Sequence, residues 1–295
     1  MIEQTENDIL KRVRKIEIKT RGLSNEIFAG KYHTAFKGRG MSFAEVREYR
    51  IGDDVRDIDW NVTARSHKPH IKVYEEEREL TMMLMVDVSG SRMFGTTDLL
   101  KKNIITELAA VLAFSASQTG DKVGCIFFSD KVEKFIPPKK GRAHILMIIR
   151  ELVSFVPESN GTAISEAVRY LSGVNKKRCT AFLLSDFLNA KRDDEALNDA
   201  LKIAISRHDI IALKVSDPRE KEMPDVGIVE LQDAETGRKV WVDTASKAVR
   251  AHYAESWKER EAKTLDMLLR NRIDVADIST DSDYVAELIK LFKKR

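Results

Sequence analysis

The spacing of apolar residues changes character near residue 80. Before that point apolar residues are sparse among Arg, Asp, Glu and Gly. Beyond it, short apolar runs alternate with stretches of helical period. Leu80–Val88, Lys122–Phe128 (KVGCIFF), Cys179–Ser185 (CTAFLLS) and Ile210–Val215 (IIALKV) carry little or no polar alternation. That is the pattern of strands covered on both faces of a parallel sheet. Between them, Asp98–Gln118 places Leu100, Ile104, Leu108, Val111 and Leu112 on a 3.6-residue period and meets a stop signal at Gly120. Arg142–Val156, Ala163–Leu171, Asp193–Ser206, the long charged stretch Ser246–Arg272 and Asp283–Phe292 also read as helices. Lys131–Ile136 alternates and then reaches Pro137-Pro138, which suits an edge strand. Val226–Val242 reads as a hairpin turning at DAETG, and Ile273–Ile278 as a last strand. Strands alternating with helices predict an α/β fold: a doubly wound, mostly parallel, Rossmann-like sheet. The expected organisation is an N-terminal extension, 1–79, packed on a main domain, 80–295, that carries an inserted β-hairpin.

Composition narrows the function classes. Fifty Lys+Arg against 47 Asp+Glu leave a net charge of +3 in 295 residues. So balanced a chain has no global field for nucleic acid or an anionic membrane. RNA binding would have to rest on a few N-terminal bases such as Lys11, Arg12, Arg14 and Lys15. Cys125 and Cys179 both sit inside apolar runs, which predicts buried free thiols and a reducing, cytoplasmic setting. The opening MIEQTENDILKRVRK has no signal-peptide core, and no apolar run nears the roughly 20 residues of a membrane span. Direct membrane insertion is therefore not expected. The C-terminal KLFKKR reads as a solvated last helical turn.

The candidate chemistry begins at MLMVDVSGSRMFG, where a buried strand ends in Asp87, Ser89 and Ser91. In open α/β sheets ligands bind beyond the carboxyl ends of the strands. Two further oxygen-bearing residues belong to that edge: Asp186, after CTAFLLS, and Thr162, which opens the helix in SNGTAISEAV. Neither His nor Cys joins them, so hard oxygen donors suit Mg²⁺, or Mn²⁺ or Ca²⁺, rather than zinc. The three hydroxyls are the expected direct ligands, and the two aspartates are expected to hold coordinated waters. A site of that kind keeps the ion electrophilic and ready for an outside carboxylate. The competing interpretation is that the serines only cap a turn while Asp87 accepts loop amides. The set Asp87-x-Ser89-x-Ser91, Thr162, Asp186 resembles the metal-ion-dependent adhesion site of von Willebrand factor A domains. The resemblance covers about 80–295 and implies a non-catalytic site that binds protein ligands through a bridging metal. An enzymatic alternative is a Mg²⁺-dependent hydrolase using the same oxygens. It lacks a G-x-S-x-G elbow, and Ser89 stands where a D-x-D phosphotransferase carries its second carboxylate.

The other conspicuous stretch runs GRGMSFAEVREYRIGDDVRDIDWNVTAR. Gly38-Arg39-Gly40 lacks the Lys-Ser or Lys-Thr of a phosphate-binding loop. Ala64 stands where an EF-hand starting at Asp53 would need its glutamate. Asp53, Asp54, Asp57 and Asp59 among Arg39, Arg47, Arg50, Arg56 and Arg65 predict a structural Arg–Asp network, with Phe43, Tyr49 and Trp60 expected to pack this segment against the main domain. His67 and His70, in SHKPH, read as surface loop rather than metal ligands. This stretch is similar to the hallmark of the bacterial "domain of unknown function 58" proteins, G-R-G-x-x-F-x-E-x-R-x-Y-x-x-G-D-D-x-R-x-I-D-W followed by A-R. In that family it precedes a von Willebrand A-like half. The resemblance implies adaptors or chaperone-like cofactors that act with MoxR-type AAA+ ATPases on client proteins. Many relatives carry two N-terminal membrane helices, so this chain is expected to be a short soluble member.

Overall fold

The computed structural model describes residues 11, 13–17, 41–76, 80–93, 100–188, 194–233 and 237–295. The expected Gly38-Arg39-Gly40 loop and the tip of the DAETG turn fall outside the described residues. The chain divides into two compact units: Phe36–Leu80, and Met1–Ala35 with Thr81–Arg295.

In the smaller unit, strand β1 (Met41–Glu48) pairs antiparallel with β2 (His70–Glu76), with a register shift between Phe43 and Glu45. Helix α1 (Trp60–Ser66) lies between them in sequence. The carboxylates here divide their labour. Asp53 takes the Arg47 guanidinium on both oxygens, each at 2.8 Å, and also accepts the Arg50 amide at 2.7 Å. Asp54 accepts the Arg56 amide at 2.9 Å, capping a single 3-10 turn. Asp59 caps α1 by accepting from the amides of Asn61 and Val62. Among the described residues the expected Arg–Asp network thus contains one bidentate pair, and two of its aspartates cap backbone turns instead. Trp60, the first residue of α1, is 70% exposed. His67 is the left-handed cap of α1, while His70 Nδ1 lies 2.9 Å from Ser66 Oγ and 2.8 Å from Lys68 O.

The larger unit is built on a six-stranded sheet. Its strands are β3 (Thr81–Asp87), β4 (Lys122–Phe128), β5 (Val132–Lys139), β6 (Thr180–Ser185), β7 (Asp209–Ser216) and β10 (Asp274–Ser279). Their spatial order is β10-β7-β6-β3-β4-β5, and all neighbours are parallel except the antiparallel β4–β5 pair. β5 lies at an edge, where Pro137 and Pro138 interrupt no further ladder. Gly124 lets β4 sit close to its neighbours; a Cβ there would meet Met83 Sδ at 2.7 Å and Ile136 O at 3.0 Å. The hairpin of β8 (Ile228–Gln232) and β9 (Lys239–Asp243) stands apart from the main sheet.

Helices cover both faces. α2 (Lys101–Gln118) touches β3, β4, β6 and β7 and packs on α3 (Arg142–Ser154). The sequence pattern suggested an amphipathic α2, but every residue from Leu108 to Ala116 is buried, so this helix is covered nearly all round. α4 (Ile164–Val174) and α5 (Asp194–Ile205) form a core with one side of the sheet. Leu171, Leu201 and Leu268 there pack against Met83, Met85 and Leu183, all fully buried. The alternate residues Leu84 and Val86 face the other layer and are equally buried. α6 (Pro218–Lys221) is a short turn with a capping box between Asp217 and Glu220. α7 (Lys247–Arg270) is long and largely exposed, burying only Trp257 and Leu268. α8 (Tyr284–Lys294) closes the chain. Its end is the solvated last turn expected from KLFKKR, with Lys290, Lys293 and Lys294 exposed, while Leu291 and Phe292 are buried and Arg295 pairs with Asp209 at 2.5 Å and Asp274 at 2.9 Å. Cys125 and Cys179 are buried free thiols, and no helix among the described residues is long and apolar enough to cross a membrane.

Candidate metal centre at the carboxyl edge of the sheet

The chain leaves β3 for β4 on one side and later returns as β6 on the other. Strand order therefore reverses at β3, and the crevice for a ligand lies above the carboxyl ends of β3 and β6. Asp87 is the last residue of β3, and Asp186 directly follows β6. Both are nearly fully buried, at 2% and 4% exposure.

Local hydrogen bonds fix each group. The Ser89 amide donates to Asp87 Oδ1 at 2.9 Å, and Ser185 Oγ donates to Asp87 Oδ2 at 2.6 Å, tying β3 to β6. Ser89 Oγ and Ser91 Oγ are 3.0 Å apart, both buried. The Gly90 amide donates to Asn160 O at 3.0 Å, and the Ala163 amide donates to Ser129 O at 2.8 Å. These two bonds hold the segment carrying Thr162 between the serine turn and the end of β4. Thr162 is buried, and its Oγ1 has no hydrogen-bond partner. Asp186 Oδ1 accepts the Leu188 amide at 3.0 Å. Phe187, between them, is buried in the left-handed region at φ 55°, uncommon for a bulky side chain, with its amide donating to Ser185 Oγ at 3.0 Å.

Charge is unbalanced at this edge. Burial, and then the negative charge of Asp186, push the Asp87 carboxyl up to about 6, although Ser185 and Ser89 donate to it. Arg92 is buried nearby and donates to Phe155 O at 2.7 Å; burial lowers its pKa while the charge of Asp87 acts the other way.

Sequence reasoning missed Lys101. Its side chain is fully buried, and Nζ donates to Asp186 Oδ2 at 2.6 Å and Glu220 Oε1 at 2.5 Å. Glu220 Oε2 in turn accepts the Asp217 amide at 2.9 Å. Burial raises the Glu220 pKa, against the pull of Lys101. One signal was available: a lysine in the first turn of a helix opposes the macrodipole and calls for a compensating partner. Both Asp186 oxygens are thus engaged, as are both Asp87 oxygens, whereas the Thr162 hydroxyl is unspent.

The donor set fits a hard divalent cation. Three buried hydroxyls lie at one sheet edge, one lacks any partner, and two adjoining carboxylates carry repulsion that a cation relieves. Among the described residues no group of three His, Cys, Asp or Glu offers a competing metal site. An open α/β sheet with an oxygen-lined crevice at its switch point defines a ligand-binding fold of the doubly wound class. Within it, the chain belongs to the family described as "Protein of unknown function DUF58", which it matches over residues 45–263. It is 30% identical to the uncharacterized protein Rv1480 of Mycobacterium tuberculosis over 290 residues, 96% of this chain and 88% of the relative. Solved structures with similarity include the conserved hypothetical protein BatB of Bacteroides thetaiotaomicron, at 17% identity and TM-score 0.47 over 73% of this chain and 98% of BatB. Another is a von Willebrand factor type A protein of Catenulispora acidiphila, at 15% identity and TM-score 0.37 over 67% of this chain and 44% of that one.

Proposed function

We propose that the chain is a non-catalytic protein-interaction module whose carboxyl-edge site holds Mg²⁺, or a similar hard divalent cation, and takes up an Asp or Glu side chain of a partner. Ser89, Ser91 and Thr162 would hold the ion directly, and Asp87 and Asp186 would act through its waters. The ion supplies a positive centre with room for an incoming carboxylate. The chain's own part is to fix the hydroxyls, exclude bulk water by burial and keep both carboxylates turned to amide, hydroxyl and ammonium donors. In this proposal the partner is a MoxR-type AAA+ ATPase together with client proteins, as the family resemblance implies.

The observation that carries the reading is Thr162 Oγ1, a buried hydroxyl with no partner of its own. Buried polar atoms are nearly always satisfied, and an unpaired hydroxyl beside two other hydroxyls and two carboxylates is what a cation ligand would leave when the ion is absent. Replacing Thr162 by Val keeps the shape and removes only that oxygen. Calorimetric titration with Mg²⁺ should give at least a tenfold loss of affinity for Thr162→Val, equivalent to about 1.4 kcal/mol. Stability of the metal-free protein should not fall, because no hydrogen bond is lost. Equal Mg²⁺ affinity in the two proteins, or no Mg²⁺ binding by the parent, would refute the assignment.

A further inference from the structure

A cavity of about 300 Å³ opens beside Asp186, lined on one side by Asp186, Phe187 and Leu188 and on the other by α7. Its apolar wall includes Phe187, Leu188 and Trp257, and its polar wall includes Arg260 and Lys263. That volume is at the small end of ligand sites, and the mixture of apolar surface with a few polar groups is their usual lining.

Two observations point to the chemistry of an occupant. Trp257 is 4% exposed, and its buried Nε1–H meets no acceptor. A buried indole normally finds one, and leaving it unmet is costly. The second observation is charge. The Arg260 guanidinium carbon lies 5.8 Å from the centre of the Trp257 ring, and its Nε donates to Ser256 O at 3.2 Å. Among the described residues neither Arg260 nor Lys263 has an ion-pair partner. The other charges of the wall are largely committed: Lys214 to Glu261, which also has Lys221 at 3.9 Å, and Asp186 to Lys101. Asp194 remains as the one opposing carboxylate, itself without an ion pair among the described residues. Among the described residues, two cations without an ion pair therefore face one such acid, beside an aromatic surface and an unmet donor.

We propose that this cavity binds an organic carboxylate carrying a flat apolar body, either as a free acid or as the C-terminal residue of a peptide. The carboxylate meets Arg260 and Lys263, the ring lies on the apolar wall, and an acceptor oxygen satisfies the Trp257 indole. No divalent ion takes part, although Asp186 lines this cavity as well as the candidate metal centre.

The test uses the full chain, labelled with nitrogen-15, in chelator so that metal binding plays no role. The indole resonance of Trp257 is assigned by its absence in Trp257→Phe and followed by NMR during titration. The probes are phenylacetate, phenylacetamide, and a short peptide ending in Phe with a free or an amidated C-terminus. Phenylacetate should shift the Trp257 indole saturably while leaving Trp60 and Trp241 in place, and phenylacetamide should not. Arg260→Ala, on the exposed face of α7, should weaken the response about tenfold, with partial rescue by Arg260→Lys. Tighter binding of the free-acid peptide than of phenylacetate assigns the site to a protein terminus; equal or weaker binding assigns it to a small acid. A Trp257 indole that does not move with either acid, that moves as much with the amides, or that is indifferent to Arg260→Ala overturns the proposal. Because the chelator removes metal, these results are independent of whether Thr162→Val affects Mg²⁺ affinity.

Discussion

Asp87 carries the most legible electrostatic signature in the protein. Its folded-state pKa of about 6 lies above the ordinary aspartate value of 3.8, through burial first and the neighbouring Asp186 charge second. A carboxyl shifted upward binds its proton more tightly in the folded chain than in the unfolded one. Its stabilising contribution is complete below the unfolded value and disappears as pH rises through about 6. In chelator, the melting temperature should therefore fall across that window, and Asp87→Asn should flatten this component of the slope. An unchanged slope in Asp87→Asn would assign the dependence to other groups. Mg²⁺ favours the ionised carboxylate, so the rise in melting temperature that it causes should grow above pH 6 and shrink below it. Part of this site could be read from sequence, because D-x-S-x-S at the end of an apolar run marks a strand terminus. The pairing of Ser185 with Asp87 and the left-handed Phe187 could not, since a serine or phenylalanine in an apolar run gives no sign of its backbone angle or of the strand opposite.

At the level of elements, the sequence pattern located five of the six strands of the sheet within a residue or two, because strands buried in a sheet tolerate few polar positions, whereas β5, read from its alternation as Lys131–Ile136, runs three residues further through the prolines to Lys139. Helix α2 was harder. Alanine-rich turns such as Ala109-Ala110 are compatible with either an exposed or a buried face, so the pattern did not show that the helix is covered all round. The same helix begins with Lys101, whose partners lie 85 and 119 residues further along the chain. No local period encodes such a tie. Lys101 links the first turn of α2 to the ends of β6 and β7, and without it Asp186 and Glu220 would remain buried and uncompensated. Removing one member of a buried ionic cluster costs ~3–5 kcal/mol. Lys101→Met should show a loss of this size in urea unfolding, along with weakened Mg²⁺ binding as Asp186 reorients. A loss below about 1 kcal/mol would mean that the carboxylates relax without the ammonium.

Over the whole molecule, the family pattern from residue 45 to 263 spans both compact units, yet the two differ sharply in what holds them together. The larger unit buries two apolar layers against a six-stranded sheet. In the smaller, Ile71 is the one buried apolar side chain among the described residues, and the structure relies on Arg47–Asp53, the aspartate caps and a two-stranded ladder. The sequence anticipated this poverty of core from the sparse apolar residues before residue 80. Arg47 and Asp53 lie near the surface, where such pairs contribute little, and isolated two-stranded ladders are marginal in water. Chains of fewer than about 70–80 residues rarely fold on so small a core without a staple. The isolated segment 36–80 should therefore lack fixed tertiary structure. Near-ultraviolet circular dichroism should be flat, Trp60 should fluoresce as a water-exposed indole, and no cooperative thermal transition should appear. A sharp melting transition in that segment would show that hydrogen-bonded caps and one Arg–Asp pair suffice to order it, and that this half of the family pattern is an autonomous folding unit.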